Sequence, residues 1–158
     1  MFISSPERQR RALGFTLLEI LIGVAIVCLL LLIAVPAYSD YKERTKVYQA
    51  TTDIAALGTL VRNYYQDARV FPDSLAQVGA AGRLDPWGRP YVYVNLDDAK
   101  NKGKARKNKK LVPINSDFDL YSVGKDGESA APLTAAKSRD DVIRANDGRY
   151  HGLAANYE

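Results

Sequence analysis

The chain has 158 residues, which is enough for one modest soluble domain and one additional element. Its 22 Lys and Arg residues exceed its 18 Asp and Glu residues by four, but residues 1–14 hold three arginines and one glutamate, so a chain beginning at Phe15 would carry only +2. A charge that small is not the footprint of a nucleic-acid-binding protein, and we do not expect nucleic acid as a partner. The single cysteine, Cys28, excludes an internal disulfide.

A long apolar run follows the polar and basic residues 1–14. It extends over 21 residues, from Phe15 to Val35. As a helix rising about 1.5 Å per residue it would span roughly 31 Å, about the thickness of a bilayer core. A secretory signal would be cut after such a run at small residues, and the residues at 35–38 form a poor site of that kind. A plain transmembrane anchor remains an alternative.

Glu19 lies five residues into this run. An ionised carboxylate in hydrocarbon is costly, so a charge in a membrane segment indicates a function and a partner of opposite charge. If the chain is cut between Gly14 and Phe15, the new amine of Phe15 lies one helical turn from Glu19. The same amine on a neighbouring copy could also pair with Glu19.

Apolar residues continue beyond Pro36 at spacings of three, four or seven. They are Val47, Ile54, Leu57, Val61 and Tyr64, with charged and polar residues between them. The pattern predicts one helix from Phe15 to about Asp67, with a bend at Pro36. A short helix ending at Val78 should follow, capped by Asp73 or Ser74.

The second half of the chain has the composition of short strands and turns. Residues 85–90 form a Pro- and Gly-rich turn cluster, and 91–94 and 117–122 have strand patterns. These features predict an α+β fold, in which a long N-terminal helix, first transmembrane and then amphipathic, packs against a small antiparallel sheet. Lys100–Lys110 holds seven Lys or Arg residues, which we interpret as a solvated hairpin loop. A surface for nucleic acid, acidic lipid or an acidic partner is the alternative.

The segment from Gly14 to Glu19, after Arg10 and Arg11, resembles the type III signal of type IV pilins and pseudopilins, and Pro36 matches their helix-kinking proline. The resemblance implies that a prepilin peptidase cleaves after Gly14 and methylates the amine of Phe15, and that Glu19 guides filament assembly. It also implies a leader at 1–14, a transmembrane and assembly helix at 15–37, and a pilin-like head at 38–158. The protein would cross the bacterial inner membrane once, with a cytoplasmic N-terminus and a periplasmic head, although basic residues on both sides of the span leave its orientation open by charge alone.

Two further blocks, residues 85–91 and 119–127, resemble the major pseudopilin of the type II secretion system. The resemblance implies a subunit that polymerises with itself and with minor pseudopilins on an inner-membrane secretion platform. Its periplasmic filament would drive protein export across the outer membrane. A type IV pilus pilin for adhesion or DNA uptake is the alternative. We expect no enzyme, because the chain has one histidine, His151, and no catalytic motif.

The same resemblance implies a calcium ion where other pilins use a disulfide. The carbonyl of Val123 and the side chain of Asp126 match the first two family ligands, and Asp140 and Asp141 would supply others if residues 128–139 loop out. The alternative is a simple turn at Asp126, with Asp140 capping a helix that follows it.

Overall fold

The computed structural model describes residues 14–109 and 111–157, and a single long helix dominates its N-terminal half. Helix α1 spans Leu17–Ala68 and contains Pro36. It ends where Arg69 adopts a positive φ of 59°, three residues before Pro72. The chain divides into two compact units between residues 41 and 42, and the second unit holds the remaining elements.

The sheet has four antiparallel strands in the order β1-β2-β3-β4. They are β1 Val92–Asn95, β2 Phe118–Ser122, β3 Val142–Ala145 and β4 Tyr150–Leu153. Val92 pairs with Tyr121, Tyr121 with Ile143, and Ile143 with Gly152. One short 3-10 turn, Leu75–Val78, lies between α1 and β1. Four others lie between or after the strands: Ala99–Lys104, Ala136–Ser138, Asn146–Gly148 and Ala154–Asn156.

The core lies between the C-terminal half of α1 and one face of the sheet. Its fully buried members include Ile54, Leu57, Val61, Phe118 and Leu120. The helical residues recur at spacings of three and four, and the two strand residues at a spacing of two, so each element buries one face. The predicted α+β architecture is therefore confirmed.

A second cluster packs on the opposite face of the sheet. It contains Ile114, Leu133, Ile143, Ala145 and Ala154, all nearly or completely buried. Val142 joins the core beneath the helix while Ile143 joins this second cluster, as the alternation along a strand requires. The sheet is thus covered on both faces.

Three local predictions differ from the structure. The residues after Asp141 form β3, so the alternative of a helix capped by Asp140 was wrong. The short helix at Leu75–Val78 is a 3-10 turn, and the side chain of Ser74 makes no capping hydrogen bond. The basic run connects β1 and β2, but it is not wholly solvated, because Arg106 and Asn108 are buried.

Candidate functional site: the N-terminal helix and the Asp126 loop

The N-terminal part of α1 is apolar and exposed. Leu17, Leu32 and Ile33 each expose more than 70% of their surface, although they are large hydrophobic residues. By length and composition, α1 is long and apolar enough to cross a membrane. None of its most apolar 18-residue stretch is buried against other parts of the described chain. This surface needs a bilayer or other apolar helices to cover it.

Glu19 and Thr16 form a reciprocal cap at the start of this helix. The backbone N–H of Glu19 donates to the Thr16 hydroxyl at 3.2 Å, and the backbone N–H of Thr16 donates to the Glu19 carboxylate at 3.5 Å. This is the capping-box arrangement, which satisfies two backbone donors that have no partner inside the helix. Thr16 was not among the residues predicted from the sequence, although the spacing Thr-x-x-Glu at the start of an apolar run indicates such a cap.

Beside the cap, a shallow apolar groove of about 350 Å³ runs along one face of the first turns. Phe15 and Glu19 lie at one end of the groove, and Gly23 and Cys28 lie farther along it. Phe15, the predicted first residue after cleavage, is 80% exposed. Gly14 is the first described residue, so the rest of the predicted leader lies outside the described residues.

The two sequence blocks of the second resemblance meet in the head. The Asp85 carboxylate accepts hydrogen bonds from the backbone of Trp87 and Arg89 at 3.0 and 2.8 Å, which closes the turn. It also accepts one from the Ser122 hydroxyl at 2.5 Å, at the end of β2. The Arg89 guanidinium reaches the carbonyl of Gly124 at 2.6 Å. The turn at 85–90 therefore holds the start of the loop after β2.

The turn also contacts the long helix. The indole N–H of Trp87 donates to Glu43 at 2.9 Å, and Lys46 lies 5.9 Å from the centre of the Trp87 ring. Tyr91 directly follows the turn, and its hydroxyl donates a hydrogen bond to Asp53 at 3.0 Å. Burial is the main cause that raises the pKa of Tyr91, and this hydrogen bond raises it further. The turn is thus fixed against both the helix and the loop.

Asp126 and Asp140 come together although residues 128–139, which we call the insertion, separate them along the chain. The backbone N–H of Asp126 donates to the Asp140 carboxylate at 2.9 Å, and the backbone N–H of Glu128 donates to Asp126 at 2.8 Å. Gly124 has a φ of 64°, and a Cβ at this position would lie 2.3 Å from the carbonyl oxygen of Asp140. The two segments of the chain therefore approach too closely for residue 124 to carry a side chain. Residues 128–139 loop out between these neighbours, as the calcium prediction required.

Asp141 points elsewhere. Its carboxylate pairs with the guanidinium of Arg106 at 2.5 Å and accepts a hydrogen bond from the Ser129 hydroxyl at 2.6 Å. Both partners of the ion pair are at most 3% exposed, and burial raises the pKa of Asp141. Arg106 also donates to Ser129 and lies over the ring of Tyr121. Arg106, Ser129 and Asp141 therefore form a buried staple between the basic run, the insertion and β3.

The predicted calcium donors fit only in part. Asp126 and Asp140 are adjacent and carry oxygen atoms of the kind calcium prefers, and Val123 directly precedes their loop. Asp141 is bound by Arg106 instead. Within residues 14–109 and 111–157, no three His, Cys, Asp or Glu side chains are grouped to hold a metal. Calcium binding stays a prediction that rests on two carboxylates and loop carbonyls.

Comparison with known proteins places these features in a family. A model described as the prokaryotic N-terminal methylation motif matches residues 9–35. The chain is 30% identical over 145 residues to type II secretion system core protein G of Escherichia coli, covering 78% of this chain and 87% of that protein. It is 34% identical over 148 residues to a fimbrial protein of Neisseria meningitidis serogroup B, covering 90% of this chain and 85% of that protein.

The chain belongs to the type IV pilin-like family. A further relative, type II secretion system core protein G of Vibrio cholerae, is 28% identical over 150 residues, covering 82% of this chain and 92% of that protein. No solved structure matches the chain at a significant level. The relatives are structural pilin and pseudopilin subunits, so this chain is a structural subunit and not an enzyme. The motif and the apolar helix fit a membrane-anchored protein.

Proposed function

We propose that this pilin-like chain is the major pseudopilin of a type II secretion system. It would polymerise with itself and with minor pseudopilins into a periplasmic filament on an inner-membrane platform, and the filament would drive protein export across the outer membrane. The observation that supports this choice is the contact of the 85–90 turn with the loop after β2 through Asp85, Ser122 and Arg89. These are the blocks that resemble the major pseudopilin.

The alternative is a type IV pilus pilin for adhesion or DNA uptake. The relatives include pilins and pseudopilins at similar identity, so the comparisons favour neither. The single cysteine, Cys28, lies in the apolar helix and leaves the head without a disulfide, which supports the pseudopilin assignment. Exposed lysines in the basic run favour the pilus pilin, because they offer a cationic surface to which DNA could bind.

A gene deletion separates the two functions. For a pseudopilin, loss of the chain should remove specific proteins from the culture medium while surface pili, adhesion and DNA uptake stay at the parental level. Complementation with the intact gene should restore export. Normal export together with lost pili would contradict the proposal and support the alternative.

Processing is part of the same proposal. A prepilin peptidase would cut after Gly14 and methylate the amine of Phe15, leaving the N-terminus cytoplasmic and the head periplasmic. Mass spectrometry of membrane-derived protein should show Phe15 as the first residue with one methyl group. Gly14→Leu should leave the precursor uncut, whereas Gly14→Ala serves as a small-residue control. Assembled protein that retains Met1 would contradict this processing.

A further inference from the structure

The head separates its charges in an unusual way. Residues 100–110 carry seven positive charges and no negative one, whereas the rest of residues 42–158 has twelve Lys or Arg residues against fifteen Asp or Glu residues. A head of nearly balanced charge is therefore divided into a strongly cationic segment and an acidic remainder. Such a division favours oriented contact between molecules.

The structure holds the cationic segment in place. Arg106 and Asn108 point inward, and the backbone N–H of Arg106 donates to buried Asp119 at 2.7 Å. Lys107 exchanges backbone hydrogen bonds with the insertion, donating to Ala131 at 3.0 Å and accepting from Leu133 at 2.9 Å. With the Arg106–Asp141 pair, these bonds fix the base of the segment.

The lysines of this segment remain exposed. Lys100, Lys102 and Lys104 lie in the 3-10 turn Ala99–Lys104, where three residues make one turn, so the three side chains fan out around it. Lys107 and Lys109 alternate with the inward-facing residues and are also exposed. Among the described parts of the chain, none of these five lysines forms an ion pair. We call the five residues the lysine knob.

An acidic groove of about 400 Å³ opens near the knob. Its walls include the stacked rings of Tyr65 and Phe71, whose centres lie 4.3 Å apart, and its rim carries Asp73, Asp97 and Asp98. Arg69 also lines it, so the groove still has an excess of two negative charges. The side chains of Asp73 and Asp97 accept no hydrogen bond and form no ion pair within residues 14–109 and 111–157.

The aspartates of the groove and the lysines of the knob do not pair with each other within one copy of the described structure. Asp98 ends the groove and caps the 3-10 turn by accepting from the backbone of Lys100 at 3.0 Å, so the chain leads directly from one surface into the other. The lysines nevertheless make no ion pair with these aspartates in the described structure. Both charged surfaces are therefore available to another molecule.

We propose that the lysine knob of one copy docks in the acidic groove of a second copy. The groove offers carboxylates for ion pairs and the partly exposed ring of Tyr65, which an ammonium group can approach. The knob contains no aromatic residue, so it lacks the stacking platform that single-stranded nucleic acid requires. Membership of a filament-forming family brings copies of this head together, whichever filament they build.

Cross-linking tests this contact in the full chain in native membranes. Two differently tagged copies, both carrying Cys28→Ser, receive Lys102→Cys and Asp97→Cys respectively. On mild oxidation we expect a cross-linked pair of the two tags. In the matched control, Lys125→Cys replaces Lys102→Cys, because Lys125 is also exposed but lies outside the knob. Equal cross-linking in test and control would overturn the proposal.

Charge reversal tests the chemistry of the contact. We expect association to weaken about tenfold in a triple variant with Lys100→Glu, Lys102→Glu and Lys104→Glu, which is the effect expected from the loss of three exposed ion pairs. In the wild-type chain, 1 M salt should weaken the same contact. Combining this variant with copies carrying Asp73→Lys and Asp97→Lys should restore association. The proposal would be overturned if charge reversal left association unchanged. It would also be overturned if the knob retained duplex DNA while the cysteines at positions 102 and 97 formed no cross-link.

Discussion

Glu19 accepts a hydrogen bond from the backbone of Thr16, and its own backbone binds the Thr16 hydroxyl. The carboxylate therefore caps the helix in a single copy, besides the predicted pairing with the amine of Phe15. A glutamine at this position can still accept the capping hydrogen bond but carries no charge. The two roles can thus be separated experimentally.

We expect Glu19→Gln and Glu19→Val to be cleaved normally but to assemble poorly to a similar degree. An unpaired buried amine would cost on the order of 3–5 kcal/mol, whereas loss of the cap alone costs about 1 kcal/mol. The fraction of the chain that chemical cross-linking captures as oligomers in native membranes measures assembly. Thr16→Val is the control that removes only the hydroxyl half of the cap. Near-normal assembly of Glu19→Gln would show that capping, not charge, is the role of Glu19.

Asp140 and Asp141 are neighbours in sequence with different surroundings. Asp141→Ala should lower the melting temperature of the full chain in detergent by on the order of 10 °C, because it leaves the buried Arg106 unpaired. Asp140→Ala should have a smaller effect, since Asp140 is partly exposed and its carboxylate accepts one hydrogen bond, from the backbone of Asp126. Equal losses in both variants would contradict the importance of the buried staple.

At the scale of elements, α1 packs closely on the sheet at Gly58. A Cβ there would lie 3.7 Å from the Cδ of Arg144, an ordinary contact. Arg144 is buried, pairs with Asp117 at 2.6 Å and lies 3.9 Å from the centre of the Phe118 ring. The helix therefore has room for a methyl group at its closest point.

Gly58→Ala should stabilise the head by about 0.5–1 kcal/mol, because alanine favours the helix and its methyl group fits. Gly124→Ala is the contrasting variant: its positive φ and the 2.3 Å approach to the Asp140 carbonyl leave no room for a Cβ, so it should destabilise. Thermal melting of both variants measures the effects. A lower melting temperature for Gly58→Ala would contradict the packing described here.

At the scale of the whole molecule, the 85–90 turn holds the start of the loop after β2, and two further features can order the rest of it: the buried Arg106–Asp141 staple and a bound calcium ion. Only the second depends on an ion in solution. The structure shows the staple, and it leaves Asp126 and Asp140 as the carboxylates that calcium would need.

If calcium binds, the full chain should melt at a lower temperature in chelator. The gain from calcium at one hundred times its dissociation constant is about 2.7 kcal/mol. Asp126→Ala should remove the calcium response, while Asp141→Ala should melt low yet still respond to calcium. Melting of the wild-type chain that is indifferent to both chelator and calcium would leave Asp126 as a turn residue.

The long helix, the apolar span and the family resemblance were predictable from the sequence alone. These features depend on local spacing: the apolar run, the period near 3.6 and the short motif from Gly14 to Glu19 are all contiguous. Strands β1 and β2 were also predictable, because their alternating residues are enriched in aromatic and β-branched types. Strands β3 and β4 were missed, since Val142–Ala145 contains a buried arginine and Tyr150–Leu153 contains a glycine and a histidine.

Which charged residues are buried and which are exposed could not be predicted from the sequence, because it depends on contacts between distant segments. Arg106 looks like its lysine neighbours in sequence, yet it is buried because Asp141, 35 residues away, supplies the opposite charge. Asp140 and Asp141 are likewise indistinguishable in sequence, and the alternation of side chains entering β3 sends one to the Asp126 loop and the other into the staple. Burial of a charge depends on a partner that is distant along the chain, and local sequence does not contain that information.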